Sequence, residues 1–227
     1  MKLDKKDVLK TGAEILGKLV DNMGSLPDLP LSELVGKAGG AQNTVLIVVD
    51  MINGFARQGA LKSDRVEALI PEIEKLSKMC DSLGVRKLAF ADCHTEASME
   101  FGAYPAHCLK GSPEGEMVDE LKNIGGFLII PKNSTNGFLE AEFQKWLKEN
   151  SNVDNFIIVG DCTDICIEQF SVALKAYFNI HDRDSRIVVP VNAVDTYDLG
   201  LHKGDLMNLM AAFMMAGNGI ELVSGIK

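Results

Sequence analysis

From Thr44 onward, short runs rich in β-branched residues alternate with stretches whose apolar positions recur every three or four residues. The runs at 45–50, 88–92, 127–131, 156–160, 187–191 and 220–223 have the length and composition of buried strands. Between them, Ile73, Leu76, Cys80 and Leu83, then Phe143, Trp146 and Leu147, then Leu206, Leu209, Met210 and Phe213 fall at helical spacing. Strand–helix alternation requires crossover connections, so the pattern predicts an α/β fold: three α/β/α layers on a six-stranded parallel sheet. Pro71 should begin or kink its helix, because it has no N–H to donate within one.

Residues 1–43 follow a different pattern. Val8, Ile15, Leu16, Leu19 and Val20 outline an imperfect amphipathic helix, which the Gly- and Pro-containing stretch 24–30 ends. This reads as a helical arm in front of a domain at 44–227. It would pack on that domain or across a subunit interface, and a homo-oligomer is the expectation.

Composition narrows the function classes. A chain of 227 residues, 46% hydrophobic and 24% charged, can bury one sizeable core without staples. Its net charge of −9, with no Lys/Arg cluster, argues against nucleic acid and favours a small-molecule partner. The five cysteines are odd in number and unevenly spaced, which suggests reduced thiols and a cytoplasmic setting. Neither a signal peptide nor a membrane partner is expected, since the most apolar N-terminal stretch, 15–20, is broken by Gly17 and Lys18.

Chemistry concentrates at the predicted strand ends. Gly160-Asp161-Cys162-Thr163-Asp164-Ile165-Cys166 follows an apolar strand and opens a helix. Free N–H groups and the helix dipole at such a junction lower a thiol pKa and can hold an oxyanion. Asp50, Asp92 and Lys132 fall at the ends of the first three strands, the edge where open parallel sheets bind ligands. Each alone is an ordinary cap, loop or core residue; two acids, a cation and a thiol at successive strand ends are not ordinary. A second set, Asp92, His94, Glu100 and His107, puts two carboxylates and two imidazoles in one connection. That donor set suits one divalent ion, Zn²⁺ with Mn²⁺ or Fe²⁺ as alternatives. Cys93 and Cys108 stand nearby, at no zinc-finger spacing.

These segments resemble the isochorismatase-like cysteine hydrolases. Asp50 in Val48-Val49-Asp50-Met51-Ile52-Asn53-Gly54-Phe55, Lys132 in Ile130-Pro131-Lys132, and Cys166 in its Gly160–Cys166 segment look like that family's Asp–Lys–Cys triad. Asp92-Cys93-His94, followed by Tyr104-Pro105-Ala106-His107, is similar to the metal segment of the nicotinamidases within it. The resemblance implies a metal-dependent cysteine amidohydrolase acting on nicotinamide through a thioester. It further implies oxyanion donors at the backbone of Cys162 and Cys166, a cis peptide between Asp161 and Cys162, and a substrate pocket lined by Phe55 and Tyr104. Ile52, Gly54 and Cys93 depart from the family's usual residues. Two alternatives follow: hydrolysis of a ureido, carbamoyl or other small amide with the same triad, or a catalytically silent metal-containing binding protein.

Overall fold

The computed structural model describes residues 2–227. In chain order its elements are α1 (Lys5–Gly24), β1 (Asp28–Leu29), α2 (Leu31–Lys37), β2 (Thr44–Val49), α3 (Asn53–Ala56), α4 (Asp64–Glu67), α5 (Ile70–Leu83), β3 (Arg86–Asp92), α6 (Asp119–Ile124), β4 (Phe127–Lys132), α7 (Ala141–Glu149), β5 (Asn155–Asp161), α8 (Glu168–Ile180), β6 (Arg186–Pro190), β7 (Val194–Asp195), α9 (Gly204–Gly217), β8 (Glu221–Val223) and β9 (Gly225–Ile226).

The strands pair in parallel in the order β4-β3-β2-β5-β6-β8, and the short β7 adds to the end of β5. The six predicted strands are all present, with ends within two residues. The sheet has seven strands rather than six, because a two-residue strand leaves no period-2 signature to read. All six residues of β2 and all seven of β5 are buried, as strands covered on both faces must be. Alternation sends Leu46, Val48, Ile157 and Val159 into one core with Leu31, Leu34, Ile73 and Leu76. Val45, Ile47, Phe156 and Ile158 enter the other, with Phe143, Phe170, Leu174 and Phe178. Pro71 sits in the first turn of α5, where it is tolerated.

The arm divides at its glycine break. Asp4 caps α1 by accepting from the N–H groups of Lys6 and Asp7, and α1 buries no residue. Beyond Gly24 the chain joins the domain: β1 pairs with β9, and Leu29, Leu31 and Leu34 belong to the core. In α9 the expected stripe is corrected, since Leu206, Met210 and Phe213 are exposed while Ala211, Ala212 and Met215 are buried. That helix is apolar on nearly every side, so period alone could not orient it.

The chain runs from β2 outward through β3 to β4, then returns to place β5 on the other side of β2. Beyond the C-terminal ends of β2 and β5 the connections diverge, which opens a crevice.

Candidate active site

The strand register assembles the first group. Asp92 pairs with Lys132 across β3 and β4, so carboxylate and ammonium leave adjacent strand ends together. Asp50 follows β2 in a left-handed conformation, φ +56°, a region that a non-glycine residue adopts at a cost and that recurs at functional sites. Its Oδ1 accepts from the Asp92 N–H at 3.1 Å. Beside it, Gly160 is required: a Cβ there would lie 2.0 Å from the Val49 carbonyl oxygen.

Lys132 joins the members. Its Nζ lies 2.8 Å from Asp50 Oδ2 and 3.7 Å from Cys166 Sγ, pairs with Asp92 and donates to the Ser134 carbonyl at 3.2 Å. All four side chains are buried. Burial opposes the lysine charge, but Asp50 and Asp92 override it and hold the ammonium well above its usual range. For Asp92, burial favours the neutral acid, yet the Lys132 charge, with the His107 and His94 imidazoles close by, keeps it ionised below the usual carboxylate range. Asp50 goes the other way. Burial first, then the Asp92 charge, push it up to about 7 against the pull of Lys132 and Cys166. A carboxyl there can both take and return a proton near neutrality.

Cys166 lies within a wide helical turn, Thr163–Ile167, that leads into α8. The sequence expectation of a lowered thiol pKa is corrected. Burial pushes the thiol well above its ordinary value, and although Lys132 opposes this, Asp50, Asp92 and Asp161 add to it. The Cys166 side chain therefore rests as a thiol, and ionising it would take a base. The Asp161–Cys162 peptide is cis.

Asp92 also belongs to the second group. Ligand atoms of Asp92, His94, Glu100 and His107 all lie within 4.8 Å of one another. Asp92 Oδ2 is 3.4 Å from His94 Nε2 and 3.6 Å from His107 Nε2, while Glu100 Oε1 is 3.8 Å from His94 Nε2. The far side of each ring is fixed: His94 Nδ1 lies 3.1 Å from Asn133 Oδ1, and His107 Nδ1 is 2.8 Å from the Pro105 carbonyl oxygen. Those contacts orient both Nε2 atoms inward, the usual outer support of metal-binding histidines. His94 Nε2 is buried without a hydrogen-bond partner. An orphaned imidazole nitrogen facing two carboxylates fits a divalent cation, and the group contains no cysteine.

A cleft joins the two groups. Asp50, Asp92, Glu100, His107, Cys162 and Cys166 line it, with Phe55 and Tyr104 as expected. Phe55 and Tyr104 lie 5.6 and 6.3 Å, ring to ring, from His107. Sequence reasoning missed three contributors. Phe101 packs against both imidazoles at 5.5 and 5.7 Å, and its place one residue after Glu100 was a usable signal. Asp161 lines the cleft as a wholly buried carboxyl, pushed well up chiefly by burial and then by Asp50. Tyr197 enters from beyond β7, the strand too short to predict.

Fold and site together define a hydrolase whose cleft opens at the switch point of a parallel sheet. The chain belongs to the isochorismatase family, whose isochorismatase domain matches residues 44–218, and its reaction class is hydrolysis of an amide C–N bond. It is similar to nicotinamidase 1 of Arabidopsis thaliana, 31% identical over 221 residues, covering 80% of this chain and 86% of that one. A ureidoacrylate amidohydrolase of Pseudomonas savastanoi is 26% identical, covering 55% of this chain and 62% of its own. Among solved structures, the pyrazinamidase of Pyrococcus horikoshii in complex with zinc superimposes with a TM-score of 0.64 at 22% identity, covering 80% of this chain and 98% of that one.

Proposed function

We propose that this protein is a metal-dependent nicotinamidase, which hydrolyses nicotinamide to nicotinate and ammonia through a thioester on Cys166. The observation that carries the reading is the sharing of Asp92 between two buried groups. One Asp92 oxygen pairs with Lys132, which reaches Asp50 and Cys166, and the other faces His94 and His107. A substrate with an amide at one end and a ring nitrogen at the other would span both groups. The similarity to a plant nicotinamidase supports that choice.

Asp50 takes the thiol proton, and the Cys166 sulfur attacks the amide carbon. Backbone N–H groups of Cys162 and Cys166 receive the negative oxygen. Asp50 then gives its proton to the departing nitrogen, the C–N bond breaks, and ammonia leaves a thioester. A water loses its proton to Asp50 and adds to the thioester carbon. Collapse releases the acid, and the sulfur recovers its proton. Lys132 stays charged throughout and holds Asp50 and the developing thiolate together. A divalent ion, zinc by the donor set, would be held by Asp92, His94, Glu100 and His107 and would anchor the ring nitrogen.

The second reading is a ureido or carbamoyl substrate on the same triad, favoured by the similarity to ureidoacrylate amidohydrolases. Comparing kcat/KM for nicotinamide, pyrazinamide, benzamide and ureidoacrylate decides between them. Nicotinamide and pyrazinamide should lead by an order of magnitude or more; ureidoacrylate or benzamide matching nicotinamide would sink the nicotinamidase reading and leave the cysteine hydrolase standing.

A further inference from the structure

The loop after β7 returns Tyr197 to the wall of the cleft, and the protein holds that ring with unusual firmness. Tyr197 stacks on His202 with centroids 4.0 Å apart and planes 5° from parallel. His202 is fixed at both nitrogens. Its Nδ1 is 2.8 Å from the Tyr197 carbonyl oxygen, and its Nε2 is 2.8 Å from Asp164 Oδ2. Leu199 and His202 exchange backbone hydrogen bonds at 2.9 Å, which closes the loop tip.

Both ends of the loop are tied to the opposite rim. Arg65 of α4 donates to Asp195 from Nε at 3.0 Å and from Nη2 at 2.8 Å, and it reaches Asp205 at 2.8 Å. Its neighbour Val66 lines the same cleft. Asp164 belongs to the turn that carries Cys166, so the stacked pair connects the rim to the nucleophile's own segment. Burial, followed by the neighbouring Cys162, Tyr104 and Asp164, pushes the Tyr197 phenol up to about 12, which keeps it neutral.

We infer that Tyr197 is a specificity-determining wall of the substrate pocket and that His202 positions it, presenting a fixed flat face that selects ring amides over open-chain ureido or aliphatic ones. The inference rests on the amidohydrolase reading of this cleft and deepens it. A ring already immobilised by stacking and hydrogen bonds loses little further freedom when a planar ligand packs on it, so the contact goes into affinity. An open chain covers less of the same face than a six-membered ring and gains less from it.

The test is KM and kcat for nicotinamide and ureidoacrylate in Tyr197→Ala, Tyr197→Leu, Tyr197→Phe and His202→Ala, with the rate of Cys166 alkylation by iodoacetamide as a second readout. Tyr197→Ala should raise KM for nicotinamide about tenfold with kcat within about threefold, and raise that for ureidoacrylate by no more than about twofold. Tyr197→Leu keeps the volume without the flat face and should repeat the loss, which covers an unstable alanine variant. Tyr197→Phe should recover most of it. His202→Ala should raise the nicotinamide KM about three- to fivefold while alkylation stays within about twofold of wild type. Equal losses for both substrates, an unchanged nicotinamide KM, or alkylation and kcat falling together in His202→Ala would each overturn the inference. A wild-type enzyme that hydrolyses ureidoacrylate and no ring amide would defeat the nicotinamide reading and the wall with it; an active nicotinamidase whose variants keep their KM defeats the wall alone.

Discussion

Asp92 divides its two oxygens between groups that are held in place quite differently. Asp50 and Lys132 leave strand ends whose register is set by backbone ladders, and Cys166 follows from β5 through a buried turn. The single Lys132 ammonium answers both carboxylates, and while Asp50 keeps its proton, below about pH 7, the charges of Lys132 and Asp92 balance within the protein. His94, Glu100 and His107 come from the long connection after β3, pinned by hydrogen bonds between His94, Cys108 and Lys110. That group sets two carboxylates against two imidazoles and leaves His94 Nε2 without a partner. The first group is electrostatically complete as protein. The second would be completed by a cation, so damage to the first should appear in chemistry and folding, and damage to the second in ligand affinity.

The largest expected effect is on chemistry. Cys166→Ala should lower kcat by about four orders of magnitude or more, as loss of a nucleophile does, while the melting temperature moves by only a few degrees. An alanine variant with wild-type turnover would break the triad. Next comes folding: Lys132→Ala leaves Asp50 and Asp92 buried without their cation and should cost about 3–5 kcal/mol in a urea titration. A loss below about 1 kcal/mol, the range of exposed ion pairs, would contradict the self-contained charge balance.

Removing the cation should act more gently on folding. Protein purified without chelator should carry close to one divalent ion per chain by elemental analysis, and His94→Ala combined with His107→Ala should lose it. Chelation of wild type should lower stability by about 3 kcal/mol if the free ion stood at a hundredfold its dissociation constant, reversibly on re-addition. Full activity in metal-free protein would defeat the site.

The two carboxylates of the first group should give opposite pH dependences. Asp50 is raised from 3.8 to about 7, so the stability it contributes is whole below about pH 4 and is lost as the pH rises through 7. Asp92 is lowered, so its contribution is present above about pH 4 and lost as the pH falls below it. In activity, kcat/KM should climb with pH through a limb near 7 as Asp50 becomes the base. A limb in the ordinary carboxylate range would mean that Asp50 is not held up. The smallest effect belongs to Glu100, whose side chain is 14% exposed at the rim. Glu100→Gln should weaken metal binding about tenfold and leave the ion in place at saturation.

Much of this was legible beforehand because strands buried on both faces announce themselves. The continuous apolar runs of β2 and β5 located the sheet; Asp50, Asp92 and Lys132 stand at strand ends, and Cys166 lies in the turn after β5. The candidate metal group could be named because Asp92 ends β3 and the other three members lie in the connection after it. Phe101, Asp161 and Tyr197 escaped for a shared reason: an aromatic in a loop or an acid after a strand is ordinary until its neighbours are known. Residues 28–37 read as an arm because core residues in a short, Pro-flanked segment carry no period, yet they are sealed into the domain by pairing with the C-terminal β9.

By itself, the sequence determined the alternation of strands and helices, the parallel sheet that alternation requires, and the identity of the acids, cation, thiol and imidazoles. Those are local properties, written in periodicity and residue type. Tertiary structure alone decided that Asp92 serves two groups at once, that burial and three carboxylates raise the Cys166 thiol where its turn would lower it, and that Tyr197, stacked on His202, reaches the cleft from a segment that shares no motif with it. Electrostatic shifts and pocket walls depend on distances between parts of the chain far apart in sequence, and only folding sets those distances.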